Sequence, residues 1–582
     1  MTRWDRLRIP SLRLNTYELL AVIIIIGALG LRLFFLAVGM PEVNGDEGTM
    51  GIEAMHIAFQ GQHPVFLYGQ DYMGVLEAYL AAFFFHLFGV SSFTLRLGMA
   101  LMFLLFLVSM YCLTSLLYSK KLALVTLALL GYGVTSDVLI QQLRAVGGAI
   151  ETLLFGSLVL LLAIWLALSA KPRREQSMRL RLARLAAYLG WGLSAGLGLW
   201  THFLVAPFVL AGGLILLLFC FRDLLSFAPL LLVLGFLLGF FPFIIYNIHA
   251  SPEHNTLLTI LNIHSSATII PPNTQHLLRM RFVGTFLWSL PVATGLAPVC
   301  SLTSLPYYGP ANSSTLPCIL EMGGWSLGYM LLMGIAALLA IGGLWKLWTA
   351  RRARQAAWTP EERAAVIINF SRLMILMCAV LTLLFYISSP LSALKPWSTR
   401  YLVGLLVALP AILWPLWSAM GFEKFELPSR ARLLALANRA MLVVVANVIL
   451  AGTVASFTAM PGVEADNQQQ QALVQGLLSI GATRVYSGYW TGGYRLVFQS
   501  QERIISAVPP GLSEPGGNRY AAYVPVVKAD PHAAYVFAAN SPDALAFAKK
   551  IAHSQTKYRR YTFSIYVVYQ PIVGSANGVK QH

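Results

Sequence analysis

The stretch Pro41-Glu42-Val43-Asn44-Gly45-Asp46-Glu47-Gly48 follows an apolar run at residues 17–39. The run is long enough to cross a bilayer as a helix, so three carboxylates lie within six residues of a membrane exit. A carboxylate so close to hydrocarbon is costly unless it has a function or a partner. Apolar positions at helical spacing continue over 49–59. They predict a short helix at the membrane surface that begins with Asp46 and Glu47, where negative charge is favourable. We interpret this loop as a candidate active site.

The composition is that of a helical membrane protein. The 582 residues are 57% hydrophobic and 11% charged, whereas soluble domains carry about 25% charged residues. Repeated apolar runs of about 18 or more residues predict an all-α polytopic membrane protein, and the first run is predicted to be retained rather than cleaved as a signal peptide. The net charge of +17 lies in short loops between these runs, so a nucleic-acid partner is excluded and membrane lipids are expected around the chain.

The basic loops also predict the topology. Arg3, Arg6, Arg8 and Arg13 precede the first run, which places the N-terminus in the cytoplasm. The next run, 72–89, carries Glu77 and His86. If it spans, the basic loop 171–184 falls outside. If it is embedded from the outer side, four basic loops all fall inside, namely Lys120-Lys121, 171–184, Arg351-Arg352-Arg354, and Lys424 with Arg430, Arg432 and Arg439. The second choice predicts a multi-pass protein of the cell membrane with outer loops 40–94 and 248–323. Its spans are 17–39, 95–117, 122–140, 150–170, 185–201, 203–221, 226–247, 324–346, 367–389, 400–420 and 438–459.

After Met460 the composition becomes that of a soluble domain. The pattern predicts helices at 466–480 and 541–553 and strands at 484–486, 503–505, 520–526, 534–537 and 561–569. We therefore expect a membrane domain, residues 1–459, and a small extracytoplasmic α/β domain, residues 460–582. Cys300 and Cys318 share one outer loop, and in an oxidising compartment they would form a disulfide; the alternative is two unpaired thiols.

This topology brings many polar side chains to the outer face. A carboxylate there can act as a general base, and a nearby cation can hold a leaving phosphate. Each residue also has a plain structural alternative, such as a helix cap for Asp46, a snorkelling position for Glu151 or an interfacial anchor for Arg400. The candidates are Asp46, Glu47, Glu53, His56, Gln70, Asp71, Tyr72, Asp137, Arg144, Glu151, His202, His249, Lys395 and Arg400.

The chain resembles the membrane-embedded GT-C glycosyltransferases, in the branch of protein O-mannosyltransferases and bacterial aminoarabinose-type lipid glycosyltransferases. The resemblance covers roughly residues 15–250 well and the remainder loosely. It rests on Gly45-Asp46-Glu47-Gly48, on Pro64 to Gly74, on Leu95-Arg96-Leu97, on Gly239-Phe240-Phe241-Pro242 and on Arg400-Tyr401-Leu402.

The resemblance implies inverting transfer of a sugar from a polyprenyl-phosphate-linked donor to a lipid, glycan or protein acceptor on the outer face. Asp46 would be the general base with Glu47 beside it, and Glu151 the second acid, with Asp137 as the alternative. His56, Gln70, Asp71, Tyr72, Arg144, His202, Lys395 and Arg400 would contact substrate. No metal ligand is assigned, and binding of a divalent metal is left open because the second acid departs from the family pattern.

Two other function classes compete with this reading. A glycolipid transporter or flippase predicts ionisable groups at mid-membrane and an internal repeat; the acids here lie at span ends, and no repeat is evident. A non-catalytic membrane scaffold that presents the α/β domain leaves the Asp46-Glu47 pair unexplained.

Overall fold

The computed structural model describes residues 15–133, 135–170, 176–265, 274–298, 312–355, 357–389, 392, 396–419, 429–488, 492–509 and 517–572. Within this part of the chain, eight helices are long and apolar enough to cross a membrane, so the chain is a multi-pass membrane protein. These are Thr16–Ala37, Ser92–Leu117, Ala149–Leu168, Ala228–His249, Leu316–Arg354, Pro360–Ser388, Ser398–Ala419 and Leu433–Ser479.

Helices occupy most of the described residues before the C-terminal sheet. In chain order they are α1 (Thr16–Ala37), α2 (Gly45–Gln60), α3 (Leu76–Phe88), α4 (Ser92–Leu117), α5 (Lys120–Tyr132), α6 (Ser136–Leu143), α7 (Ala149–Leu168), α8 (Met178–Thr201), α9 (Ala206–Phe219), α10 (Phe221–Leu224), α11 (Ala228–His249), α12 (Thr256–Ser265), α13 (Thr274–Gly284), α14 (Leu290–Ala293), α15 (Leu316–Arg354), α16 (Pro360–Ser388), α17 (Leu409–Ala419) and α18 (Ser429–Ser479). Short 3-10 segments lie at Phe203–Val205, Pro252–His254 and Pro396–Ala408, and a π-helical segment lies at Thr285–Ser289.

The number of spans differs from the eleven predicted. The predicted span 122–140 is bent by 91° between α5 and α6, and the pair counts as a ninth span if it crosses as one. The span 185–201 lies in α8, whose first turns carry Arg179, Arg181 and Arg184. The span 203–221 lies in the short apolar stretch Phe203–Phe219. The segments 185–201 and 203–221 lie in helices, but they are not among the helices that are both long and apolar enough to count as candidate spans.

The run 72–89 contains only a short helix, and its placement on the outer side stays a prediction. Its helix, α3, has 13 residues. At 1.5 Å per residue it is about 20 Å long, which is shorter than the roughly 30 Å hydrocarbon core.

The chain divides into two compact units. The first unit contains Met1–Leu33, Ala100–Leu143 and Gly147–Thr458, and the second contains Phe34–Met99, Arg144–Val146 and Ala459–His582. The second unit therefore combines the loop after the first span with the C-terminal segment. The domain boundary predicted at 459 and 460 falls inside α18.

Close packing of α8 on α11 dominates the first unit. A Cβ added at Gly192 or Gly196 would lie 2.0 or 2.4 Å from a carbonyl oxygen of α11, and one at Gly235 or Gly239 would lie 2.1 or 2.6 Å from a carbonyl oxygen of α8. Only glycine permits this approach of two backbones.

The second unit contains a five-stranded mixed sheet in the order β2-β1-β3-β5-β4. Its strands are β1 (Arg484–Ser487), β2 (Ile505–Ala507), β3 (Ala534–Ala538), β4 (Lys557–Phe563) and β5 (Tyr566–Ile572), and its helices are α19 (Tyr494–Gln499), α20 (Tyr523–Lys528) and α21 (Pro542–Ala552). The strands β1, β2 and β3 are parallel, whereas β5 runs antiparallel to β3 and β4. Leu473 and Leu477 of α18 pack with Val485, Ile504 and Val568 in the core beneath it.

Two of the predicted strands are wrong. Residues 523–526 of the predicted strand 520–526 lie in helix α20 (Tyr523–Lys528). The predicted strand 561–569 is a hairpin of β4 and β5, which turns at Ser564 with a left-handed φ of 51°. Helix α19 was not predicted, and the predicted helix 466–480 is the end of α18.

Candidate active site

Helix α2 begins at the acidic stretch because Asn44 caps it. The Asn44 side chain accepts the backbone N–H of Glu47 at 2.9 Å, which satisfies one of the free donors of the first turn. The helix ends at Gly61, whose φ of 66° is left-handed. All twelve residues from Gly45 to His56 are buried, so α2 is an interior helix of the second unit.

Two glycines bring α2 against α19. A Cβ at Gly48 would lie 2.6 Å from the backbone of Tyr494 and Arg495, and a Cβ at Gly51 would lie 2.4 Å from the Phe498 ring. The second glycine of the Gly45-Asp46-Glu47-Gly48 motif is thus required for packing. The C-terminal segment supplies the surface on which the acidic helix rests.

Glu47 is held in a buried, bidentate ion pair. Arg96 Nε and Nη2 donate to its two carboxylate oxygens at 2.7 and 2.6 Å, and the backbone N–H of Ala145 donates at 3.0 Å. The Arg96 and Glu47 side chains are 1% and 0% exposed. This carboxylate joins α2, α4 and residues 144–146, a geometry that favours a positioning role.

Asp46 contacts an arginine from the C-terminal segment. Arg519 Nη2 donates to Asp46 Oδ1 at 3.1 Å, and Arg519 Nη1 donates to the Gly69 carbonyl at 3.1 Å. With its amide oxygen turned toward the guanidinium, Gln70 accepts from Nη1 at 2.8 Å. The Arg519 and Asp46 side chains are 11% and 6% exposed. The structure therefore brings together two predicted residues, Asp46 and Gln70, around one that was not predicted.

The loop that carries Gln70 is closed on itself. Phe66 and Gly74 form an isolated antiparallel bridge, and Asp71 and Tyr72 are half-buried in the turn between them. Arg144 Nη2 donates to the Glu42 carbonyl at 2.7 Å and so braces the residues before α2.

His56 lies in a network with tyrosines and a second carboxylate. Its Nδ1 is 3.0 Å from the Tyr68 hydroxyl and its Nε2 is 2.9 Å from Glu502 Oε1. Tyr523 donates to the same Glu502 oxygen at 2.7 Å, and the Tyr520 ring lies 5.0 Å from His56. The hydrogen bond from His56 is the main reason that the pKa of Glu502 lies below its ordinary value. Both imidazole nitrogens thus have protein partners, and the substrate role predicted for His56 stays a prediction.

Glu53 is a buried carboxyl one turn before His56. It is fully buried, and neither oxygen hydrogen-bonds to a described side chain. Burial raises its pKa well above the ordinary value, and the backbone N–H of Tyr68 offsets only part of this. Burial therefore favours the neutral form of Glu53 more than it would be favoured in an exposed glutamate.

His202 and Arg400, two predicted residues of the first unit, both lie near the Tyr401 ring, and the helix whose first turn carries Glu151 starts near His202. Glu151 is buried in the first turn of α7. A Cβ added at Gly148, which precedes that turn, would lie 2.4 Å from the His202 ring. That ring lies 6.1 Å from the Tyr401 ring, over which the Arg400 guanidinium lies at 5.2 Å. Asp137 lies in the first turn of α6, and the choice between it and Glu151 as second acid stays open.

Two predicted residues, Lys395 and Cys300, lie outside the described residues. Cys318 is disulfide-bonded, whereas Cys112, Cys220 and Cys378 are free. The pairing of Cys300 with Cys318 stays a prediction.

The described side chains contain no group of three or more His, Cys, Asp or Glu residues placed to hold a metal ion. Asp46 and Glu47 are each engaged by an arginine. A divalent cation prefers carboxylates free of such partners, so this pair does not fit a metal site as it stands.

Several residues of the site were missed from sequence, namely Arg519, Glu502, Tyr520 and Tyr523. Arg519 follows a segment rich in Pro and Gly, from Pro509 to Asn518. A lone arginine in such a loop of a small domain is the one local signal that could have marked it.

Comparison with solved structures gives the class of the fold. The aminoarabinose transferase ArnT from Cupriavidus metallidurans, bound to undecaprenyl phosphate, aligns over 95% of this chain and 98% of its own at 15% identity, with a TM-score of 0.53. The archaeal oligosaccharyltransferase AglB from Archaeoglobus fulgidus, in complex with an inhibitory peptide and a dolichol-phosphate, aligns over 94% of this chain and 74% of its own at 13% identity, with a TM-score of 0.46.

The chain is accordingly a membrane protein of GT-C fold with a small C-terminal mixed sheet. The fold implied by the sequence resemblance is confirmed. No protein-family model matches the chain, and no curated protein does.

Proposed function

We propose that the protein is an inverting glycosyltransferase that moves a sugar from a polyprenyl-phosphate-linked donor to an acceptor hydroxyl on the outer face of the membrane. The observation that carries this proposal is the pairing of Asp46 with Arg519. It sets a carboxylate able to take a proton beside a guanidinium able to hold a phosphate. The bound undecaprenyl phosphate of the ArnT structure supports the donor class.

The reaction is a single displacement at the anomeric carbon. Asp46 accepts the proton of the acceptor hydroxyl while that oxygen forms the new bond to the anomeric carbon. The bond from this carbon to the phosphate oxygen breaks, and the polyprenyl phosphate leaves with the electron pair as a stable anion. One displacement inverts the configuration, and no acid is needed at the leaving group.

The remaining residues of the second unit hold the base in place. Glu47 is pinned by Arg96 and Ala145, which fixes the first turn of α2 and the direction of the Asp46 side chain next to it. His56, Tyr68 and Glu502 hold the loop that carries Gln70. Such support by packed neighbours is what catalytic precision requires.

Other roles come from the family resemblance. We propose Arg400, with Lys395 or Arg144, as a contact for the departing phosphate, His202, Asp71 and Tyr72 as substrate contacts, and Glu151 or Asp137 as the second acid. The acceptor would be a lipid, a glycan or a protein. The N-terminus would be cytoplasmic and the C-terminal domain extracytoplasmic.

The test uses the purified full chain in lipid bilayers with a panel of polyprenyl-phosphate sugars and candidate acceptors. Release of polyprenyl phosphate is measured. We expect Asp46→Asn to lower the rate by about 10²–10⁴-fold, the range for loss of a general base. Asp543→Asn is the matched control, since Asp543 also lies in the first turn of a helix of the second unit. Unchanged release by Asp46→Asn would remove Asp46 from the chemistry.

A further inference from the structure

Two arginine–carboxylate pairs lie at the start of α2, and they differ in kind. The pair of Glu47 with Arg96 has two contacts of 2.6 and 2.7 Å and is shut off from solvent. Asp46 and Arg519 contact each other at 3.1 Å, and Arg519 keeps 11% of its side-chain surface exposed. Breaking the first pair would leave two buried charges without partners, which is costly. In the second pair, Asp46 can be replaced by another anion at lower cost.

Arg519 keeps its place when it leaves Asp46. Its guanidinium also donates to the Gly69 carbonyl at 3.1 Å and, with the amide turned toward it, to Gln70. These two acceptors are neutral, and they anchor the side chain. A phosphate is the stronger partner, because it carries more negative charge and fits the planar guanidinium with two parallel hydrogen bonds.

The contact also occupies the base. Asp46 Oδ1 accepts from Arg519 Nη2, and an oxygen so engaged is less available to an acceptor hydroxyl. A site in which the base is free only when donor is present would not activate water or acceptor in its absence.

We propose that Arg519 is a ligand of the donor phosphate and that it exchanges Asp46 for this phosphate when the donor binds. The inference rests on the proposed function, since the phosphate is that of the polyprenyl donor. Arg519 thereby couples donor binding to release of the catalytic base. The C-terminal segment would contribute a substrate contact to the site.

The exchange predicts a specific pattern of binding. If Asp46 and phosphate compete for one guanidinium, then removing the Asp46 charge tightens phosphate binding while it stops transfer. Asp46→Asn should bind polyprenyl phosphate about tenfold more tightly than the wild type, and Arg519→Gln about tenfold or more weakly. In the double variant, Asp46→Asn should no longer tighten phosphate binding, because the Arg519 guanidinium that would bind the phosphate is absent.

Binding is measured by titrating polyprenyl phosphate into the full chain in phosphatidylcholine nanodiscs, with phosphatidic acid as the second arm. Arg559→Gln, at an exposed position of β4 in the same unit, is the matched control and should bind as the wild type does. Arg519→Lys keeps the positive charge but loses the planar guanidinium that donates two parallel hydrogen bonds. It should therefore bind more tightly than Arg519→Gln but more weakly than the wild type. Size exclusion and thermal unfolding establish that each variant is folded.

Three results would overturn the exchange: Asp46→Asn binds no more tightly than the wild type, the double variant keeps the gain, or the gain is seen only with phosphatidic acid. If Arg519→Gln does not fold, the binding by Asp46→Asn still decides. The readout needs no sugar transfer. If the binding pattern is absent but sugar transfer occurs, this inference fails and the proposed function stands. If the binding pattern is present but no donor supports transfer, the proposed function fails instead.

Discussion

Glu47 is buried and its charge is balanced by Arg96, which gives it a structural importance separate from catalysis. Its side chain and that of Arg96 are 0% and 1% exposed. Removing one partner of such a pair leaves a buried charge without compensation, which typically costs about 3–5 kcal/mol. We expect Glu47→Gln to lower the thermal unfolding midpoint clearly, while Glu464→Gln, at an exposed position of α18, leaves it unchanged.

The measurement is the unfolding curve of the purified variants in detergent, paired with the transfer rate. A Glu47→Gln protein as stable as the wild type but without transfer would return Glu47 to the catalytic role predicted from sequence. A destabilised protein that regains its rate when cooled would support the positioning role.

Sequence reasoning at the level of single residues found the acids but not their partners. Asp46 and Glu47 stood out because charge beside a membrane exit is costly. Arg519 is 473 positions away from Asp46, and Glu502 is 446 away from His56. A local pattern carries no information on contacts at such separations, so Arg519 and Glu502 could not be predicted as partners of Asp46 and His56.

Glycines decide how the long helices pack. A Cβ at Gly239 of α11 would lie 2.6 Å from both the Leu193 carbonyl oxygen and the Leu197 nitrogen. Backbone atoms of a helix cannot move aside as a flexible side chain can. We expect Gly239→Leu to destabilise the protein by about 1–3 kcal/mol or more, as overpacking does. Gly213→Leu in α9, where nothing lies within 4 Å of the added Cβ, is the control. Folded yield and unfolding midpoint measure the difference, and equal values for the two variants would contradict tight contact of α8 and α11.

Among whole elements, those with a strong local signal were predicted best. The apolar runs all became helices, and Ser541 caps α21 with a bond from the Ala544 N–H, as its position indicates. Helix α20 begins within the stretch 520–526, which was predicted as a strand because its aromatic and β-branched residues favour strands by composition. Its helical conformation buries Tyr523 and Val527, four positions apart on one face. Tertiary packing outweighed propensity there.

At the scale of the whole molecule, the fold class was predictable and the composition of the units was not. Hydropathy alone marks a polytopic helical protein. The grouping of Phe34–Met99 with Ala459–His582 in one unit depends on contacts such as those of Gly48 with Tyr494. Sequence reasoning that divides a chain only at changes of composition assigns the first loop to the membrane domain.

Topology is the property of the whole chain that the basic loops predict and that labelling can test. Three single cysteines are introduced into a variant in which Cys112, Cys220 and Cys378 are replaced, at exposed positions Phe88, Arg351 and Lys549. Because positive loops stay in the cytoplasm, we expect an impermeant maleimide added to intact cells to label positions 88 and 549. Position 351 should react only after the membrane is opened. Labelling of position 88 from the cytoplasm alone would make α3 part of a crossing segment and would move the basic loop 171–184 outside. Glu151 and Arg400 would then lie on the cytoplasmic face, where a donor in the outer leaflet could not reach them.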